Sequence, residues 1–123
     1  MHLTPDMLSA GYDFLRHTKP FDGWNLPEPE DMRFDVLKGA SRFGDCCERK
    51  GQFIIRVSEA LHQRYTGVLA TLAHEMIHLH MDNLACASKY RRLRTDNSTH
   101  GPGFRALAIE VCDAFPEFDP VTF

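Results

Sequence analysis

The stretch His74-Glu75-Met76-Ile77-His78 is the part of this sequence best equipped for chemistry. On an α-helix, residues four apart differ by about 40 degrees around the axis, so His74 and His78 project from one face. Two imidazoles at that spacing can bind one zinc ion, and Glu75 beside them can act as general base toward a water. Zinc lowers the pKa of such a water toward about 7 and polarises a carbonyl, so the chemistry implied is metal-assisted hydrolysis. The flanks suit a buried helix: Leu69, Ala70, Leu72 and Ala73 precede the motif, and Leu79 follows it. Three polar residues in metal-binding register on so apolar a helix would cost several kcal/mol if buried unpaired.

A catalytic site needs a third protein ligand and an open fourth position. The extended pattern with glycine at 81 and histidine at 84 is excluded, because the chain has Met81 and Leu84. The downstream candidates are Asp82, Cys86, Asp96, His100, Glu110 and Asp113. His100 leads them, since His100-Gly101-Pro102-Gly103-Phe104 stands at a loop-to-helix junction able to return to the motif helix. Glu110, inside the last helix, is the alternative glutamate ligand.

The elements that must hold these residues can be read from periodicity and capping. Thr4-Pro5-Asp6 predicts a capped helix with Met7, Leu8, Gly11, Tyr12, Phe14 and Leu15 on its apolar side, ending by Lys19-Pro20. Phe21 to Glu30 is a loop. Met32, Phe34 and Val36 alternate with Arg33 and Asp35 as in a half-buried strand. Ala40 to Cys47 is a second strand weakened by Gly44, Glu48 to Gly51 a polar hairpin turn, and Phe53 to Val57 the strongest strand. Ser58 is expected to cap a short helix to about Tyr65, and a long helix to run from Val68 to about Ala85. Cys86 to Thr99 reads as a loop. Pro102 opens a last helix whose apolar face is Phe104, Leu107, Ala108, Val111, Cys112 and Phe115, and Pro116 stops it. The order predicts an α+β domain spanning 1–123.

Composition sets the outer limits. With 43% hydrophobic and 25% charged residues and a net charge of −3, the chain has no global pull toward nucleic acid or anionic membrane. It has no apolar run of the roughly 20 residues a membrane span needs, and Met1 to Ala10 does not read as a signal peptide. Cys46, Cys47, Cys86 and Cys112 form no CxxC pair. Packed, reduced thiols are expected, and with them an intracellular setting, cytoplasmic or nucleoid-associated.

Taken together, several segments resemble the SprT-like family of zinc metallopeptidases. Leu26-Pro27-Glu28-Pro29 is similar to the family's lead into its first strand. Ser41-Arg42-Phe43-Gly44, then Phe53-Ile54-Ile55-Arg56-Val57-Ser58, is similar to its two-strand passage ending in hydrophobic-Arg-hydrophobic-Ser. His100-Gly101 with Phe104 resembles its H-G-x-x-F motif. The resemblance covers roughly residues 5 to 115 and implies His74, His78 and His100 as zinc ligands, Glu75 as catalytic base, and endopeptidase activity on proteins. It implies a minimal zincin fold, a small sheet of about three strands on the motif helix with flanking helices. In such folds an edge strand above the metal can pair with an extended substrate, and Gln52 to Val57 is the candidate. Family members often carry a C-terminal zinc ribbon with CxxC pairs, and some cleave proteins crosslinked to DNA using extra basic regions. Neither feature is in this sequence.

Other residues have ordinary explanations to set beside functional ones. Lys89-Tyr90-Arg91-Arg92-Leu93-Arg94 could touch DNA phosphates, with DNA-associated proteins then as substrates, or an acidic substrate beside the site, or simply be a solvated face. His62, Tyr65 and Tyr90 could each donate a hydrogen bond to a tetrahedral intermediate. His80 falls about 200 degrees round the helix from His78 and should pack or face solvent. Trp24 and the phenylalanines suit the core or loop anchoring, and Asp113 and Glu110 could orient a histidine or sit at the surface. The competing function is a zinc-stabilised module that binds nucleic acid or protein without catalysis. An intact Glu75 favours the enzyme, because a purely structural site has no use for it.

Overall fold

The computed structural model describes residues 1–86 and 100–118; for 83–86 it describes the backbone alone. The elements are α1 (Pro5–Arg16), β1 (Arg33–Leu37), β2 (Gly44–Arg49), β3 (Gln52–Ser58), α2 (Tyr65–Cys86) and α3 (Pro102–Ala114), with single 3-10 turns at Phe21–Gly23 and Pro29–Asp31. Among the described residues the fold is the expected small α+β arrangement, three helices and one three-stranded sheet.

Thr4 caps α1 by accepting the Met7 N–H on its hydroxyl, and Pro5 occupies the first turn. Leu8, Gly11, Tyr12 and Leu15 are buried, but Phe14 is 56% exposed. At 100 degrees per residue Phe14 lies about 110 degrees from the centre of that stripe, too far round to reach the core. The Tyr12 hydroxyl donates to the Pro27 carbonyl at 2.6 Å, and Arg16 pairs with Glu28 at 2.8 Å. These bonds tie the Leu26–Pro29 segment to α1.

The sheet order is β1-β3-β2, with β1 parallel and β2 antiparallel to β3. Gln52 to Val57 is therefore the central strand, paired on both sides, and not the free edge expected from its resemblance. The chain reaches the far edge as β2 before it turns back, and that order leaves β3 in the middle. The hairpin is tight: Arg49 pairs with Gln52, and Lys50 and Gly51 both have positive φ, 53° and 81°. Positive φ at both loop residues is the type I′ pattern.

No helix forms between Ser58 and Tyr65. The Ser58 hydroxyl does accept the Leu61 N–H, as a cap would, but the Ser58 carbonyl is taken by the His62 ring at 2.6 Å. That carbonyl is the acceptor a first helical turn would need from the main chain of His62. Helix α2 then starts three residues earlier than its apolar pattern suggested.

Ile55, Val57, Phe34 and the partly buried Phe53 and Cys46 line the inner face of the sheet, against which α2 packs. Cys47 lies across from Ile54 on the other face. Helices α1 and α3 pack on α2 as well, so it is enclosed on several sides and apolar nearly all round. Leu72, Ala73, Met76, Ile77 and Leu79 are fully buried. None of the described helices is long and apolar enough to cross a membrane.

Candidate metal centre

His74 and His78 stand on consecutive turns of α2, and His100 precedes α3, whose N-cap is Gly101. The Nε2 atoms of the three rings form a near-equilateral triangle: 3.3 Å from His78 to His74, 3.3 Å from His78 to His100, and 3.1 Å from His100 to His74. Hydrogen bonds alone cannot satisfy such a triangle. A neutral ring nitrogen carries a proton or a lone pair, never both, so it cannot donate to one neighbour while accepting from the other. A cation at the centre satisfies all three lone pairs at once. Tetrahedral coordination with metal–nitrogen bonds of about 2.0–2.1 Å requires donor separations of about 3.3–3.4 Å, close to those observed. Among the described residues, these three histidines are the group able to hold a metal ion.

Phe104 explains why the segment after His100 has its spacing. It lies in the first turn of α3, is 3% exposed, and its ring contacts all three imidazoles, with centroid separations of 4.9, 4.7 and 4.8 Å to His74, His78 and His100. One aromatic floor thus supports the whole triad, and the helix cap fixes His100 over it. Burial, with smaller contributions from His74 and His100, lowers the His78 pKa to about 4, so this ring is neutral at ordinary pH. A neutral imidazole is the form that ligates.

Glu75 is 5% exposed. Burial pushes its carboxyl up to about 8, with Asp45 adding to the rise and Arg42 opposing it. It faces the entry of β2: a Cβ on Gly44 would lie 3.7 Å from the Glu75 Cγ. The edge strand beside the motif glutamate is therefore β2. Asp45 accepts two bonds from Arg56, at 2.6 and 2.5 Å, and one contact from Arg42 at 2.6 Å, so its charge is matched locally.

The family model for the SprT-like family matches residues 16–122. The chain belongs to the SprT-like family. No curated protein matches it. Its SprT-like motifs now have places in the fold: Leu26–Pro29 against α1, the Arg-hydrophobic-Ser end in β3, and the His100–Phe104 segment at the head of α3.

The remaining sequence candidates separate cleanly. Glu110 and Asp113 are exposed on α3, and neither joins the histidine cluster; Asp82, half-buried on α2, does not join it either. The Tyr65 hydroxyl donates to the Met7 carbonyl at 2.6 Å, on the α1 side of the SprT-like fold. Both nitrogens of His62 are engaged, one by Ser58 and the other by Thr71. His80 stacks on Trp24 with ring centroids 4.4 Å apart, a packing role. Tyr90, Asp96, the Lys89–Arg94 run and the Cys86 side chain lie outside the described residues. The residues that spacing did not single out are Phe104 as a common floor and Thr71, four residues before Glu75 on the same helix face.

Proposed function

We propose that this SprT-like chain is a zinc-dependent endopeptidase in which His74, His78 and His100 hold one zinc and Glu75 is the general base. The observation that carries this reading is the convergence of three imidazole nitrogens beside a buried glutamate, at separations that fit a tetrahedral ion. Nitrogen-only ligation by three histidines, with a fourth position open, suits zinc in a catalytic setting. When bound, zinc supplies Lewis acidity to a peptide carbonyl and to the attacking water.

The protein's own groups do the rest. Glu75 takes the proton of the attacking water and delivers it to the leaving amine as the C–N bond breaks. Its burial keeps the carboxylate poorly solvated, and a poorly solvated carboxylate is a stronger base than one in water. The Phe104 floor holds the three rings in place and keeps water from their undersides. An extended substrate pairs with the outer edge of β2, which passes beside Glu75.

The test combines metal analysis with cleavage of fluorescein-labelled casein. The reading expects one zinc per chain, casein hydrolysis by the loaded protein, and full zinc content with no hydrolysis for Glu75→Gln. Cleavage by Glu75→Gln at the parent rate would overturn the assigned base. A zinc-loaded parent that never cleaves would favour the binding-module alternative.

A further inference from the structure

Glu75 is the group whose direction matters most for the proposed reaction, and on the sheet side it lies beside Gly44, a residue that has no side chain. A Cβ built on Gly44 would fall 2.7 Å from the Arg56 carbonyl oxygen, 2.9 Å from the Thr71 Cγ2 and 3.7 Å from the Glu75 Cγ. The main chain of β2 therefore rests directly on the ridge that Thr71 and Glu75 form one helical turn apart.

The same ridge is tied to the sheet by a chain of hydrogen bonds. The Ser58 N–H donates to the Phe43 carbonyl at 2.8 Å, next to Gly44. The Ser58 carbonyl accepts from His62 Nδ1 at 2.6 Å, and His62 Nε2 meets the Thr71 hydroxyl at 2.7 Å. A carbonyl can only accept, so Nδ1 carries a proton, and Nε2 and the Thr71 hydroxyl share the second bond. The Thr71 methyl returns to Gly44 and closes the ring: Gly44, Phe43, Ser58, His62, Thr71, Gly44. Ser58 is fully buried and His62 is 5% exposed, so water does not compete for these bonds.

We infer that the Ser58–His62–Thr71 hydrogen-bond chain, closed through Gly44, is the device that positions the Glu75 carboxylate. His62 and Thr71 are positioning residues: they act on Glu75 through the helix ridge and the strand above it. The ring fixes the separation and rotation of α2 relative to the entry of β2, and Glu75 stands at that junction. A displacement of about 1 Å at a reacting group can lower a rate about 100-fold, so a ring set at the ridge bears directly on turnover.

The inference rests on the endopeptidase reading for its kinetic consequence and on the ring alone for its structural one. Thr71→Val keeps the methyl against Gly44 and removes the hydroxyl; Thr71→Ser does the reverse for the methyl and keeps the hydroxyl. With zinc loaded and fluorescein-labelled casein as substrate, Thr71→Val should lose about 10- to 100-fold in kcat. KM should stay near the parent value and zinc content should be unchanged. Thr71→Ser should recover most of the loss. The structural arm uses metal-free protein with 13C-labelled glutamate, the Glu75 carboxyl resonance being assigned by its absence in Glu75→Gln. That resonance should shift or broaden in Thr71→Val and return in Thr71→Ser.

A Thr71→Val protein with parent kcat and a parent Glu75 resonance overturns the inference. So does a fall in melting temperature without either change, the mark of a merely structural bond. If the zinc-loaded parent does not cleave casein, the endopeptidase reading fails and the carboxyl resonance alone decides the role of the ring. Should Thr71→Val not fold, His62→Asn carries the same two measurements, since its amide reaches Ser58 but stops short of Thr71.

Discussion

His74 and His100 are separated by 26 residues in the chain and by 3.1 Å between their Nε2 atoms. The first is fixed by a buried helix and the second by the cap of another, so each needs the other's helix to be in place. The candidate ion site is thus a joint between α2 and α3. Its integrity depends on their packing as much as on the ligands.

Replacing His100 tests that joint most directly. His100 is exposed and its ring contributes little to the core, so His100→Ala should leave the metal-free protein folded. With one of the three proposed ligands gone, zinc affinity should fall by more than the roughly 10- to 100-fold typical of losing a group behind a ligand. Competition with a chelating dye measures it. Unchanged zinc affinity would remove His100 from the site.

Phe104 should behave differently, because it is both floor and core. Phe104→Ala should cost about 3–5 kcal/mol of stability and also weaken zinc binding, while Phe104→Leu should restore most of the stability. Urea unfolding with and without zinc separates the two effects. If Phe104→Ala lowers stability yet binds zinc as the parent does, the ring fills space without orienting the imidazoles.

Much of this site could be read from the sequence, for reasons that are local. The spacing of His74 and His78 is a helix property, and the His100-Gly101-Pro102 junction is a capping property, so both survive without knowledge of the fold. Strand β3 was legible in Phe53–Val57 for the same reason. Its central place was not, because strand order depends on which distant segment pairs with it, and no period in the strand encodes that. The turn after Ser58 was misread as a helix because the competing hydrogen bond comes from the side chain of His62, which propensity does not count. Gly44 looked like a weakness in a strand. It is the position where the strand touches the helix that carries Glu75.

Gly44 also makes a stability prediction. Gly44→Ala places a methyl inside contact distance of the Arg56 carbonyl and the Thr71 methyl, and should destabilise by about 1–3 kcal/mol through overpacking. Gly39 has nothing within 4 Å of an added Cβ, so Gly39→Ala is the matched control and should change stability by less than about 0.5 kcal/mol. Equal effects of the two substitutions in chemical unfolding would show that the close approach at Gly44 is not real.

Glu59 gives the pH dependence. The Leu3 N–H donates to it at 2.7 Å and Lys38 at 2.9 Å, and together they pull its carboxyl down to about 2 from an ordinary value near 4.5. A carboxylate whose folded pKa is depressed stabilises the fold fully above its ordinary pKa, and that contribution fades as pH falls through the folded value. Glu59→Gln should therefore melt below the parent by a constant margin at neutral and mildly acidic pH. The margin should shrink as pH drops from about 4.5 toward about 2. Thermal melts across that range check it, and a margin that stays flat to the acid end would mean that the charge of Glu59 does not hold the N-terminal segment.

The hairpin turn offers a change in the stabilising direction. Lys50 adopts φ of 53° in a two-residue loop where Asn tolerates the left-handed region better than Lys. Lys50→Asn creates Asn-Gly at the tip, and its side chain faces solvent, so no packing contact is lost. The expected gain is about 0.5–1 kcal/mol, in line with the cost of left-handed backbone for an ordinary residue. Because the tip lies at the far end of β2 from Gly44, zinc affinity and casein cleavage should stay at the parent level. Chemical unfolding reads the gain. A loss of stability would mean that the Lys50 conformation is not the type I′ geometry described.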